Sequence, residues 1–182
     1  AGRGDFDWDA ILDGADWFHF TGITPALGGE LPEICEDALK AAKAKGLTVS
    51  CDLNYRGKLW TRQRAGEVMG RLMPYVDVCI ANEEDSEKVL GIKASDTDVT
   101  TGKLSLKGYS ELAKKLTDTF GFEKVAITLR ESISASVNNW SAMLYADGQT
   151  YLSKKYTMQI VDRVGGGDSF ASGLIYACLN DF

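Results

Sequence analysis

Leu47-Thr48-Val49-Ser50-Cys51-Asp52 is a short, apolar-rich run that ends on a carboxylate, and its flanks decide the fold. Before it, Leu31, Ile34, Cys35, Ala38, Leu39 and Ala42 recur at helical spacing, with Lys40, Lys43 and Lys45 on other faces and Gly46 as the stop. After it comes a helix-patterned segment over 61–73, stopped by Pro74. Val76-Asp77-Val78-Cys79-Ile80-Ala81 is then a further strand, ending in Asn82. The same alternation extends both ways. Upstream, Trp17-Phe18-His19-Phe20 is a strand that breaks at Thr21-Gly22. Downstream lie a short acidic helix over 83–90, a polar linker over 93–103 that is the segment most prone to motion, and a helix carrying Leu112, Ala113, Leu116 and Phe120. Val125-Ala126-Ile127-Thr128 is a fourth strand, and 134–152 predicts a hairpin turning at Asp147-Gly148. Phe170, Ala171, Leu174, Ile175 and Cys178 close the chain at helical spacing.

Strands alternating with helices predict one α/β domain over 1–182, three layers deep, with a largely parallel sheet. Ligands of such sheets bind beyond the carboxyl ends of the strands, where Thr21, Asp52, Asn82 and Thr128 stand.

Composition narrows the function classes. At 45% hydrophobic and 25% charged, the chain is that of an ordinary globular protein. A formal charge of -6 argues against a nucleic-acid partner, because no basic excess is present to neutralise phosphates. It leaves small anions open, which a local cluster of donors can hold. No run approaches the ~20 apolar residues that span a bilayer, so no membrane partner is expected. The polar, acidic stretch Ala1 to Asp9 does not read as a signal peptide. Cys35, Cys51, Cys79 and Cys178 form no CxxC pair and read as reduced core residues, so the expected compartment is the cytoplasm. Asn139-Trp140-Ser141 fits a glycosylation pattern and, without a secretion signal, is read as chance.

Asp162-Arg163-Val164-Gly165-Gly166-Gly167-Asp168-Ser169-Phe170 carries the sharpest chemical signal. Consecutive glycines let backbone N–H groups converge, and the positive end of the following helix adds to them, a combination that holds an anion. An acid in a mere phosphate cradle would repel its ligand. Asp168 makes sense there as the base that takes a proton from a hydroxyl attacking a phosphoryl group, the alternative being a simple N-cap. No Gly-Lys-Ser/Thr follows, so this is not a Walker loop. Asp52-Leu53-Asn54-Tyr55-Arg56 sets an acid, an amide and a guanidinium at alternate positions past a strand. Arg56 suits a carboxylate or phosphate, against a plain Asx-turn with a surface ion pair. In Asn82-Glu83-Glu84-Asp85 the acids are ordinary helix-dipole partners, or Asn82 and Asp85 steer magnesium through water. Thr128-Leu129-Arg130-Glu131 either meets nucleotide phosphates or forms a solvated turn. His19, the only histidine, reads as a satisfied core residue.

The order of these motifs, Asp-x-Asn-x-Arg, Asn-x-x-acid, a Thr-ended strand and Gly-x-Gly-Asp opening a helix, resembles that of the ribokinase-like (PfkB-type) sugar kinases. His19-Phe20-Thr21-Gly22-Ile23-Thr24-Pro25, Asp52 to Arg56 with Leu59-Trp60, and Thr128-Leu129-Arg130-Glu131-Ser132 are similar to the 2-keto-3-deoxygluconate kinase branch. The likeness runs from about Phe6 to the end of the chain. It implies a ribokinase-like three-layer fold and ATP-dependent phosphorylation of 2-keto-3-deoxygluconate at its 6-hydroxyl. The alternatives are a fructokinase- or ribokinase-type enzyme on a neutral sugar and a non-catalytic nucleotide or sugar-phosphate binding module. The resemblance assigns Asp168 as base and the amides of Gly165, Gly166 and Gly167 as the anion hole. Arg56 goes to the sugar acid, Asn82, Thr128 and Arg130 to ATP, Asp85 to the magnesium–phosphate environment and Asp162 to a monovalent cation. ATP and Mg2+ are the implied cofactors, a small sugar or sugar acid the partner, and lids that pair between subunits leave room for a homo-oligomer. The family usually has Glu at the position of Asp85, Gly at that of Arg130 and Ala at that of Gly166. Relatives also carry an N-terminal portion with a lid and C-terminal helices, so this chain is expected to be a truncated core, inactive by itself.

Overall fold

The computed structural model describes residues 1–93, 97–98, 103–104, 106–162 and 164–182. In chain order it contains α1 (Trp8–Ile11), β1 (Trp17–Thr21), α2 (Ile23–Ala26), α3 (Leu31–Ala44), β2 (Thr48–Asp52), α4 (Arg62–Leu72) and β3 (Val78–Ala81). Next come α5 (Glu83–Leu90), β4 (Thr97–Asp98), β5 (Lys103–Leu104), α6 (Leu106–Phe120) and β6 (Lys124–Ser132). The chain closes with β7 (Val137–Ala146), β8 (Gln149–Leu152), β9 (Tyr156–Gln159) and α7 (Gly166–Leu179). Helix ends follow side-chain chemistry: Thr61 Oγ1 accepts the Arg64 amide at 3.2 Å to start α4, and Gly91, at φ 68°, ends α5 in a left-handed conformation.

Seven strands form the main sheet in the order β1-β2-β3-β6-β7-β8, with β9 also paired to β7. The first four in that order run parallel and the rest antiparallel. The expected parallel sheet is therefore the half that carries the strand ends of interest, joined to an antiparallel half. Register puts Phe20, Cys51, Cys79 and Val125 side by side on one face, and Thr21, Asp52, Ile80 and Ala126 on the other. The first face meets α3, α4 and α6 in the main core, through Leu39, Val68, Met69, Leu72, Leu112 and Leu116. The second face meets α7 through a small cluster of Ile80, Ala126 and Ala171. Helices on one side, the sheet, and α7 on the other make the three layers. Among the described residues, no helix is long and apolar enough to cross a membrane.

Four details depart from expectation. β6 continues to Ser132, because β7 pairs along its whole length up to Ser132 opposite Asn138. β9 was not anticipated, since all four of its residues are exposed and show no alternation. His19 is not a core residue: it lies exposed on β1, its Nδ1 2.7 Å from Ser50 Oγ, which also accepts Trp17 Nε1–H at 2.8 Å. Cys35, Cys51 and Cys79 are buried and unpaired as expected, but Cys178 is only partly covered. Most of the 93–103 linker lies outside the described residues.

Candidate active site

The parallel strands deliver their ends to a cleft of about 1020 Å³ that opens between β2, β3, β6, β7 and the start of α7. Asp52, Asn54 and Arg56 enter from the end of β2, and Asn82 and Asp85 from the end of β3. Thr128 and Arg130 enter from β6, Trp140 from β7, and Asp162, Gly166 and Gly167 from the approach to α7. The structure thus brings together eight residues expected from sequence: Arg56, Asn82, Asp85, Thr128, Arg130, Asp162, Gly166 and Gly167. Gly165 and Asp168 stand beside this lining rather than in it, Asp168 exposed to solvent between Gly167 and Ser169.

The glycine turn has a specific shape. Gly165 caps α7 at φ 77°, a left-handed conformation that favours glycine, with no side-chain cap. The Ser169 amide donates to Gly165 O at 2.8 Å, so the amides before it have no acceptor within the helix and, among the described residues, stay open to an anion. Asp162 Oδ1 accepts the Val164 amide at 2.9 Å and shapes the entry to the turn. Asp168 is therefore not the cap. It occupies the first turn of α7, and its carboxylate accepts no hydrogen bond among the described residues. A Cβ placed on Gly167 would lie 3.6 Å from Asp52 Oδ2, and one on Gly166 3.6 Å from the Trp140 ring. Asp52 and Trp140 thus stand against the turn from β2 and β7.

Two carboxylates in the cleft have displaced titrations. Burial pushes Asp52 up to about 6, with the Asp168 charge adding to it and the Asn54 amide and Arg56 opposing it. Burial likewise pushes Asp85 up to about 6, with Asp52 adding and the Tyr55 amide, Arg56 and Lys88 opposing. Arg56 is exposed. Its Nη1 donates to Tyr55 O at 3.3 Å, and it forms no ion pair among the described residues, so its guanidinium can take an anionic ligand.

Asp85, expected near magnesium, is buried, and the nearby Tyr55 amide favours its charged form. Asn82 Oδ1 accepts the Asp85 amide at 2.7 Å. Among the described residues, no group of three or more histidine, cysteine or acidic side chains could hold a metal. This donor set suits a divalent cation that arrives on phosphates and is met through water, not a protein cage. Sequence reasoning gave Asp52 no role of its own beside the glycine turn and missed Trp140 altogether. Among the described residues, the buried Trp140 Nε1 and Asn138 Nδ2 have no hydrogen-bond partner. They occupy alternate positions of β7, opposite Arg130 and Ser132, and only the β6–β7 register makes that visible.

Comparison with known proteins follows the same lines. Residues 3–181 match the profile of the pfkB family carbohydrate kinases. The crystal structure of 2-dehydro-3-deoxygluconokinase from Thermotoga maritima is 58% identical, with a TM-score of 0.93, over 100% of this chain and 54% of that one. A PfkB family carbohydrate kinase from Listeria grayi is 31% identical, with a TM-score of 0.85, over 98% of this chain and 52% of that one. A 2-dehydro-3-deoxygalactonokinase from Haloferax volcanii is 33% identical over 165 residues, 91% of this chain and 45% of its own length. The chain spans about half the length of these relatives.

Proposed function

Because the chain belongs to the pfkB family of carbohydrate kinases, we propose that its protein transfers the terminal phosphoryl group of ATP to the 6-hydroxyl of 2-keto-3-deoxygluconate. One observation carries the reading: a turn at Gly165–Gly167 is followed at once by Asp168, a carboxylate with no hydrogen bond among the described residues, beside a cleft that also holds Arg56, a guanidinium with no ion pair among them. The identity to the Thermotoga maritima enzyme, 58%, supports the choice of sugar acid.

In this mechanism Asp168 accepts the proton of the sugar hydroxyl as its oxygen bonds to the terminal phosphorus of ATP. The bond from that phosphorus to the bridging oxygen breaks, and ADP leaves with the electron pair. The amides of Gly165, Gly166 and Gly167 meet the charge that builds on the transferring group, aided by the positive end of α7. Arg56 binds the carboxylate of the sugar acid. Thr128, Arg130 and Asn82 line the nucleotide side. A magnesium ion would shield the phosphate charge, and Asn82 and Asp85 would meet it through water. Asp162 is assigned to a monovalent cation beside the turn. The reading places the enzyme in the cytoplasm, where ATP and reduced cysteines coexist, and leaves a homo-oligomer open.

A coupled assay of ADP release by the complete protein tests this. The panel holds 2-keto-3-deoxygluconate, its galacto epimer, fructose and ribose. The expected result is turnover on the sugar acids, at an order of ~10 s⁻¹, with the neutral sugars far slower. Turnover confined to neutral sugars would reassign Arg56, and no turnover on any of them would remove the kinase reading.

A further inference from the structure

Arg56 stands on a loop whose shape must come from elsewhere, because three residues separate it from the end of β2. The tethers of that loop can be traced one by one. The Leu53 amide donates to Ile80 O at 3.0 Å, tying the loop to β3. The Asn54 amide favours the charged form of the Asp52 carboxylate, and the Tyr55 amide that of Asp85. Asn54 sits at φ 39°, a left-handed conformation that an L residue holds only where its surroundings impose it. What imposes it lies across the sheet at the end of β1. Thr21 Oγ1 accepts Asn54 Nδ2–H at 3.3 Å and the Ile23 amide at 3.4 Å. The next residue, Gly22, donates its amide to Asp52 O at 2.8 Å. A Cβ on Gly22 would fall 2.2 Å from Leu53 O and 3.1 Å from Leu53 C, backbone atoms that cannot rotate aside. Gly22 has φ -61°, open to any residue, so what the position demands is space.

We infer that Thr21 and Gly22 are positioning residues for substrate: the end of β1 clamps the Asp52–Arg56 loop and so sets where Asp52 and Arg56 stand in the cleft. Neither residue lines the cleft, and both act through Asn54 and Leu53. The kinetic part of this inference rests on the sugar-kinase reading above, whereas the clamp itself does not. Removing the Thr21 oxygen while keeping its shape leaves Asn54 free to leave its left-handed well and Arg56 free to wander. The sugar site then weakens, while the nucleotide side, built from Asn82, β6 and the α7 turn, does not.

The test uses the complete protein and the variants Thr21→Val, Thr21→Ser and Gly22→Ala. Loss of one hydrogen bond of ordinary strength predicts a rise of roughly threefold to tenfold in sugar KM for Thr21→Val. The KM for ATP should stay within about twofold, and Thr21→Ser, which keeps the oxygen, should return the sugar KM toward wild type. Gly22→Ala should exceed Thr21→Val in the same direction. Amide hydrogen exchange gives a readout that needs no turnover: Tyr55 and Arg56 should exchange faster in Thr21→Val, with the β3 and β6 amides unchanged. An unchanged sugar KM in Thr21→Val, an equal rise in the KM for ATP, or a failure of Thr21→Ser to rescue would overturn the inference. If the wild type phosphorylates no sugar, the kinase reading falls by itself. Hydrogen exchange then decides the clamp, and unchanged exchange at Tyr55 and Arg56 would refute it.

Discussion

Asp52 shows how a single residue is paid for by the fold around it. Its carboxylate stands against the glycine turn, and burial raises it from the ordinary 3.8 to about 6. A raised acid binds its proton more tightly in the folded state than in the unfolded one. Folding stability therefore falls as pH climbs from about 4 to about 6, and the penalty persists unchanged above that range. Asn at this position removes the charge and keeps an oxygen for the Asn54 amide. Asp52→Asn is therefore expected to melt about 2–4 °C above wild type at pH 8, with a smaller gain at pH 4.5. Calorimetry at the two pH values measures it. An equal gain at both, or a loss at pH 8, would show that the Asp52 charge is not held at a cost. Retaining such an acid beside the glycine turn is what a functional site does when position matters more than stability.

At the scale of elements, legibility tracked burial. The central parallel strands β2 and β3 are covered on both faces, so Val49, Cys51, Val78 and Ile80 stand in short apolar runs that read directly as strands. α3 and α6 bury one stripe each, and Leu39, Leu112 and Leu116 mark those stripes at helical spacing. β9 was illegible because nothing covers it, and the anchoring of the Asp52–Arg56 loop because it depends on chain crossings that no local pattern records. Asp85 shows the same limit: an acid in the first turn of a helix suggests a ligand, and only the structure shows it buried near the Tyr55 amide. By contrast, Gly165 to Asp168 announced themselves, since their conformation is a local demand. How α7 presents that turn depends on a thin contact, Ala171 against Ile80 and Ala126. Ala171→Leu should overpack it, costing about 1–3 kcal/mol in urea unfolding, and should weaken nucleotide binding as the turn moves. Unaltered nucleotide affinity in a destabilised variant would separate the turn from the packing of α7.

For the whole molecule, topology gathers the chemistry. Residues as distant in sequence as Arg56 and Thr128 line one cleft because parallel strands with helical crossovers bring their carboxyl ends to one edge of the sheet. The net charge of -6 is no obstacle to anionic ligands, since the amides of the α7 turn and the Arg56 guanidinium supply local positive potential in the cleft. Asp168, an exposed carboxylate beside that potential, is the proposed proton acceptor. The most direct test of that role is single-turnover phosphoryl transfer from ATP to 2-keto-3-deoxygluconate by the complete protein and its Asp168→Asn variant, with ATP affinity measured in parallel. The predicted result is a fall in rate of ~10²–10⁴ with ATP affinity retained, and a variant rate near that of wild type would contradict the account.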